Sequence, residues 1–232
     1  NTVAQPVEIY YNGTALSQSR WPNEGFLKTT KVQIAGSNPA SSPVTITYVD
    51  AEDHTKLWNL DQINDLFLCG FVSYDWAGVT QKIAKVDPEK KTLTTTGPTS
   101  FEPDSSNQNH KLYFFNLIEE IDQPGESYID RKNNVVYFYP YDDYKAAAPE
   151  LIISTLDQPM VSMNNTSYVT FDGLEFGATR NDAISTNGVD HISFLNCEIS
   201  KTSRRAITLK GNNCLIENCH IYNLGGGGIY VQ

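Results

Sequence analysis

The chain has 232 residues, 40% of them hydrophobic and 19% charged, with a formal net charge of −10. That length is ample for one large domain or two smaller ones with a buried core, while the acidic balance argues against binding a nucleic-acid backbone, which needs clustered Lys and Arg. No apolar run approaches the ~20 residues of a membrane-spanning helix, and 13 Tyr and 10 Phe among many Thr, Ser and Asn favour strands and turns over helices.

In chain order, residues 7–11 read as a strand, Asn12-Gly13 as a two-residue hairpin turn and 15–21 as the returning strand. After a turn at 22–25, short strands are expected at 32–35 and 44–49 around a polar loop at 37–43. Leu57, Leu60, Ile63 and Leu66 recur at steps of three and predict a short helix over 57–66. Residues 67–76 read as a strand, 83–86 and 92–96 as a hairpin around 87–91, and 99–108 as an exposed polar loop. A strand at 111–115, one helical turn at 116–121 and a pairing of 128–130 with 135–139 complete this half. Many short strands with frequent turns predict an antiparallel sandwich or barrel for residues 1–150.

The pattern changes near residue 150. Met160-Val161-Ser162-Met163, Ala183-Ile184-Ser185-Thr186, Ala206-Ile207-Thr208-Leu209 and Gly228-Ile229-Tyr230-Val231 start 22 or 23 residues apart. Beside them run Val169-Thr170-Phe171, Ile192-Ser193-Phe194 and Cys214-Leu215-Ile216, and then Leu174-Glu175-Phe176, Cys197-Glu198-Ile199 and Cys219-His220-Ile221. Three short strands per period describe the coils of a parallel β-helix, in which only stacking buries the apolar face. The expected fold is therefore all-β: a sandwich-like or barrel-like domain over 1–150, then about three β-helix coils over 151–232.

Cys197 and Cys219 share an inward column and Cys214 another, so these thiols are expected to pack as small hydrophobes; no cysteine spacing matches a metal site. The run Gly225 to Gly228 is not followed by Lys-Ser/Thr or a helix, so it is no phosphate loop and no cofactor is implied. The chain starts at Asn1 without a Met, and its last repeat stops in mid-period at Gln232, so it reads as part of a longer protein.

The stretch 116–131, Asn-Leu-Ile-Glu-Glu-Ile-Asp-Gln-Pro-Gly-Glu-Ser-Tyr-Ile-Asp-Arg, followed by Val136-Tyr137-Phe138-Tyr139-Pro140, resembles a signature of right-handed β-helix glycoside hydrolases, of which families 141 and 120 are nearest in pattern. Arg20-Trp21-Pro22-Asn23-Glu24-Gly25-Phe26 and the coils after 159 are similar to theirs as well. The resemblance implies a β-sandwich inserted early in a β-helix, an oligosaccharide or polysaccharide substrate, and a secreted or periplasmic bacterial protein. Where that family has Trp after Gly-Glu, this chain has Ser127. The stretch itself reads as structural, with Gly125 in a tight turn, Asp130-Arg131 opening a hairpin turn, and Glu119, Glu120 and Asp122 on a solvated face.

Glycosidic hydrolysis ordinarily needs two carboxyl groups ~5 to 9.5 Å apart, which a β-helix supplies from outward positions on coils ~4.8 Å apart. The outward column of the first strands is Ser162, Ser185, Thr208 and Tyr230. It is either a sugar-binding floor of hydroxyls and one aromatic or a flat packing surface. At the preceding turn, Asp182 falls near Arg205, as a substrate-orienting pair or as a turn ion pair; Asp182 is the one candidate acid here. Glu175, Glu198 and His220 form a further exposed column, read as a solvated ladder with His220 bonded to an acid. In the first half, Arg20 and Trp21 are the binding candidates, with a core Trp as the alternative. The expectation is a carbohydrate-active enzyme whose Asp/Glu pair lies largely beyond these residues, or else a non-catalytic glycan-binding or adhesion module; a polysaccharide lyase ranks third.

Overall fold

The structure is a computed structural model that describes residues 7–34, 36–38, 40–61, 65–99, 102–103, 110–141 and 150–232. The chain forms two compact units, Leu16–Ala146 and Asn1–Ala15 together with Ala147–Gln232.

The first of these is built on a closed antiparallel barrel of six strands. Leu27–Ile34 pairs with Val44–Tyr48, then follow Thr92–Thr95, Val79–Asp87, Phe67–Phe71 and Lys111–Phe115, which returns to Leu27–Ile34. Alternation decides which side chains fill it: Val44, Ile46 and Tyr48 point inward from one strand and meet Leu68, Val79, Leu93, Leu112 and Phe114 from the others. Each such buried side chain contributes roughly 1.5–3 kcal/mol. Closure also removes the unpaired edges that an open sheet would expose. It depends on Gly70, because a Cβ there would lie 2.2 Å from the Lys111 carbonyl oxygen and 2.7 Å from the Leu112 Cα.

Two secondary-structure expectations fail in this unit. The helix over 57–66 is absent among its described residues; a 3₁₀ turn spans His54–Leu57 and the chain is already extended at Trp58. The spacing of three arises because Leu60 and Leu66 pack on the barrel core from an irregular segment, whereas Leu57 is exposed. Residues 62–64, and with them Ile63, lie outside the description. The strand expected at 67–76 ends at Phe71, and the chain then turns, with the Ala77 N–H donating to the Tyr74 carbonyl. Most of the loop expected at 99–108 lies outside the described residues. The helical turn near 116–121 is a 3₁₀ turn at Ile118–Glu120, and Glu126–Asp130 pairs antiparallel with Val135–Phe138.

The signature stretch works as a set of staples. Asn116, at φ 65°, accepts from the Ile129 N–H and donates to the Asp65 and Ile129 carbonyls. The Glu126 carboxylate accepts the Asp122 and Gln123 N–H groups, and Asp130 accepts those of Lys132 and Asn133. Glu120 does not sit on a solvated face. It is buried and accepts from the Trp58 indole N–H at 2.5 Å, with His54 Nε2 at 2.7 Å.

In the second unit Ile9–Tyr11 pairs antiparallel with Leu151–Ile153, and Asn12 and Gly13 adopt the positive φ that a type I′ turn requires. From Val161 onward the chain winds as a β-helix of three parallel sheets. Val161–Asn164, Ile184–Asn187, Ile207–Leu209 and Ile229–Val231 stack in the first. The second stacks Ser167–Asp172, Val189–Leu195 and the pieces Gly211–Asn212 and Leu215–Glu217; the third stacks Glu175–Thr179, Glu198–Thr202 and His220–Ile221. Ser185 lies opposite Ser162 and Thr208, Thr208 opposite Tyr230, and Glu198 opposite Glu175 and His220. These are the columns expected from the repeat.

Inside the coils Ile184, Ile192, Phe194, Ile199 and Ile207 are fully buried, with Phe171 stacked on Phe194 at 5.1 Å. The thiol of Cys197 is buried, and Cys214 and Cys219 pack against the same cluster. At one corner Asn196 and Asn218 take positive φ, and their amides chain together, Asn218 donating to Asn196 and Asn196 to Asp172. Asparagine tolerates this conformation better than most residues. The glycine run has a packing role: a Cβ on Gly225 would lie 2.6 Å from the Ser203 carbonyl oxygen, and one on Gly226 would lie 2.8 Å from the Arg204 carbonyl.

Candidate functional site

The first sheet of the β-helix carries a row of small polar groups that ends in an aromatic ring. Ser162 and Tyr230 are exposed, Ser185 is half-buried and Thr208 is buried. Thr208 is outward in register yet covered, because its hydroxyl donates to Asp182 Oδ2 at 2.6 Å. Asp182 Oδ1 accepts the backbone N–H of Arg205 at 3.2 Å, and Arg204 Nε lies 3.6 Å from the same oxygen. The Asp182 backbone N–H in turn donates to Asn181 Oδ1. The carboxylate therefore ties one coil to the next.

The guanidinium near Asp182 belongs to Arg204, not Arg205. Arg205 meets Asp182 through its main chain, and its guanidinium lies over the Tyr230 ring, 4.7 Å from the centroid. Such cation–π contacts attract by roughly 0.5–1 kcal/mol at exposed sites. The resulting corner presents a guanidinium laid on an aromatic face, the Ser162 and Ser185 hydroxyls, and a carboxylate already engaged by two donors. It can hydrogen-bond and stack a polyhydroxylated ring. As it stands, the carboxylate is committed to the protein and is poorly placed to attack or protonate a glycosidic bond.

The third-sheet column is also partly engaged. Lys201 Nζ lies 3.7 Å from Glu175, and the Tyr222 hydroxyl donates to Glu198. That bond raises the Tyr222 pKa, since the neighbouring carboxylate disfavours the phenolate. The partner of the acid is thus Tyr222, and His220 stacks on Tyr222 at 4.4 Å. A cluster not singled out from the sequence lies on the second sheet. Tyr168 stacks on His191 at 4.8 Å, His191 Nδ1 pairs with Asp190 at 2.8 Å, and Asn213 donates to Asp190 at 2.9 Å. The bonds from Asn213 and His191 lower the Asp190 pKa. The repeat was the available signal, since Tyr168, His191 and Asn213 follow one another at 22 or 23 residues.

Arg20 and Trp21 belong to the barrel unit, in the short strand Arg20–Trp21 paired with Lys111–Phe115. Arg20 donates to the carbonyls of Pro22 and Gly25 and lies 3.7 Å from the Tyr113 ring centroid. Trp21 is half-buried, with His54 stacked on it at 4.6 Å and Trp58 and Phe114 beside it. Both side chains are taken up by contacts within the barrel. Among the described residues no cluster of three or more His, Cys, Asp or Glu is arranged to hold a metal ion, and no helix is long and apolar enough to cross a membrane.

The stacked coils and barrel define a β-helix protein, and comparison with known proteins agrees. A family model described as a right-handed β-helix region matches residues 156–232. Among solved structures, one chain described as a glycoside hydrolase is similar in fold with a TM-score of 0.67 at 12% sequence identity, covering 97% of this chain and 55% of that one. No curated protein matches in sequence. The chain thus contains a right-handed β-helix region over residues 156–232 and shares its fold with that solved structure, of whose length it spans about half.

Proposed function

We propose that the chain is part of a carbohydrate-active β-helix enzyme, a glycoside hydrolase related in pattern to families 141 and 120, exported by a bacterium and acting on an oligosaccharide or polysaccharide. The observation that carries this reading is the coil face on which Ser162, Ser185 and Tyr230 share one outward column, with Arg205 held over Tyr230. Hydroxyls, a guanidinium and an aromatic face are the groups that recognise a sugar. In this reading Arg205 and Tyr230 bind substrate, Asp182 and Thr208 fix the corner that presents them, and the Asp/Glu pair that cleaves the bond lies outside the residues described above.

The test is a set of purified proteins, wild type, Arg205→Ala and Tyr230→Ala, assayed for binding to soluble polysaccharides and for release of nitrophenol from aryl xylosides and fucosides. The expected result is weak saccharide binding that either substitution lowers at least fivefold, and no hydrolysis. Rapid hydrolysis by these 232 residues would overturn the placement of the acid pair, and absence of any saccharide binding would overturn the function. A non-catalytic glycan-binding module is the second reading, favoured by the engagement of both Asp182 oxygens in bonds to the protein. A longer chain that binds glycan without turnover, with Ser, Thr and Asn continuing in the outward columns, would select it.

A further inference from the structure

The barrel carries an exposed aromatic pair outside its buried core cluster. Between the strands Phe67–Phe71 and Val79–Asp87 the chain turns through Tyr74, Asp75, Trp76 and Ala77, closed by the bond of 2.9 Å from the Ala77 N–H to the Tyr74 carbonyl. Val72, Ser73, Ala77 and Val79 are buried on either side, so the turn is anchored at both ends. At its tip Trp76 is 73% exposed and Tyr74 52% exposed, against an indole at Trp58 that is 5% exposed. The two rings are parallel within 9° and 5.3 Å apart between centroids. Tyr74 therefore backs the indole and fixes its plane, and the exposed carboxylate of Asp75 lies between them in sequence.

We propose that Tyr74, Asp75 and Trp76 form a saccharide-binding platform on the barrel, distinct from the coil face. A pyranose ring presents an apolar face of C–H groups and a rim of hydroxyls. A flat indole held by a second ring matches the face, and a flanking carboxylate accepts from the rim. Pre-ordering of the indole by Tyr74 lowers the ordering cost of binding. The proposal rests on the carbohydrate reading above and adds to it a saccharide contact on the barrel.

The experiment compares the 232-residue wild type with Trp76→Ala, Trp76→Phe, Tyr74→Ala and Tyr230→Ala by affinity electrophoresis in gels containing soluble xylan, fucan or mixed-linkage β-glucan. Circular dichroism confirms folding of each variant, which the exposure of both rings predicts. The expected result is retardation of the wild type by at least one polysaccharide, loss of tenfold or more in affinity with Trp76→Ala, and partial recovery with Trp76→Phe. Tyr230→Ala is expected to lower affinity independently. If the wild type and Tyr230→Ala behave as the carbohydrate reading requires while Trp76→Ala binds like wild type, the platform is refuted and that reading stands. If the wild type binds none of the polysaccharides, both fall. If Trp76→Ala instead abolishes self-association seen by light scattering and leaves saccharide binding intact, the pair is a protein contact and the platform is refuted.

Discussion

Replacing Asp182 by alanine would separate a structural role from a chemical one. The side chain accepts two hydrogen bonds, from the Arg205 N–H and the Thr208 hydroxyl, at a site only 6% exposed. Hydrogen bonds to a charged acceptor contribute roughly 1.5–3 kcal/mol each, while the partly exposed pair with Arg204 adds at most about 1 kcal/mol. Some relaxation and water entry will offset the loss, so Asp182→Ala should cost about 2–4 kcal/mol and Asp182→Asn, which keeps a carbonyl acceptor, about 1 kcal/mol. In a stacked repeat the effect stays close to the altered coil. Hydrogen exchange at the Arg205 and Ala206 amides is the direct assay, and a 3 kcal/mol loss corresponds to exchange faster by roughly a hundredfold. An Asp182→Asn protein whose exchange and unfolding midpoint equal those of wild type, but which has lost saccharide binding, would show that the carboxylate is there for the ligand.

Three further outcomes are expected. Glu120→Ala strips the buried Trp58 indole of its acceptor and should lower stability to urea by about 2–4 kcal/mol, whereas Glu119→Ala, on the exposed neighbour that accepts from the Asn59 N–H, should change it by less than about 0.5 kcal/mol. Gly70→Ala places a Cβ 2.2 Å from the Lys111 oxygen and should prevent clean closure of the barrel, losing at least about 3 kcal/mol or failing to fold, as read by near-ultraviolet circular dichroism. Asp50 is buried, which alone would raise its pKa, but the N–H groups of Thr55 and His54, the Thr55 hydroxyl and Lys91 together hold it below its ordinary 3.8. A lowered carboxylate favours the folded state above its unfolded pKa, and that contribution disappears as pH falls through the lower folded value. Asp50→Asn should therefore flatten the acid limb of the unfolding curve below about pH 4; an unchanged limb would refute the linkage.

The coil ladder was legible in the sequence because two periods coincide there, alternation within each strand and 22 or 23 residues between strands. Together they identified the opposite pairs Ser162–Ser185, Thr208–Tyr230 and Glu175–Glu198. Details set by side-chain direction at a corner were not legible. Arg204 and Arg205 are adjacent, and whether the guanidinium or the main chain of either meets Asp182 depends on the turn, not on the repeat. The burial of Glu120 was hidden for a different reason: its partners, His54 and Trp58, lie more than sixty residues away in sequence. The false helix at 57–66 arose because an irregular segment laid across a barrel carries no period of its own to read.

The lateral register of the coils sets the size of change this fold can absorb. An insertion of one residue within a strand would reverse inside and outside for the rest of that strand and break its match to the neighbours. An insertion of 22 or 23 residues would instead add a complete rung, lengthening the outward row by ~4.8 Å without disturbing its phase. Lineages that inherit this architecture should thus gain or lose length in whole turns, and the reach of the polar face along a glycan should grow in steps of that height.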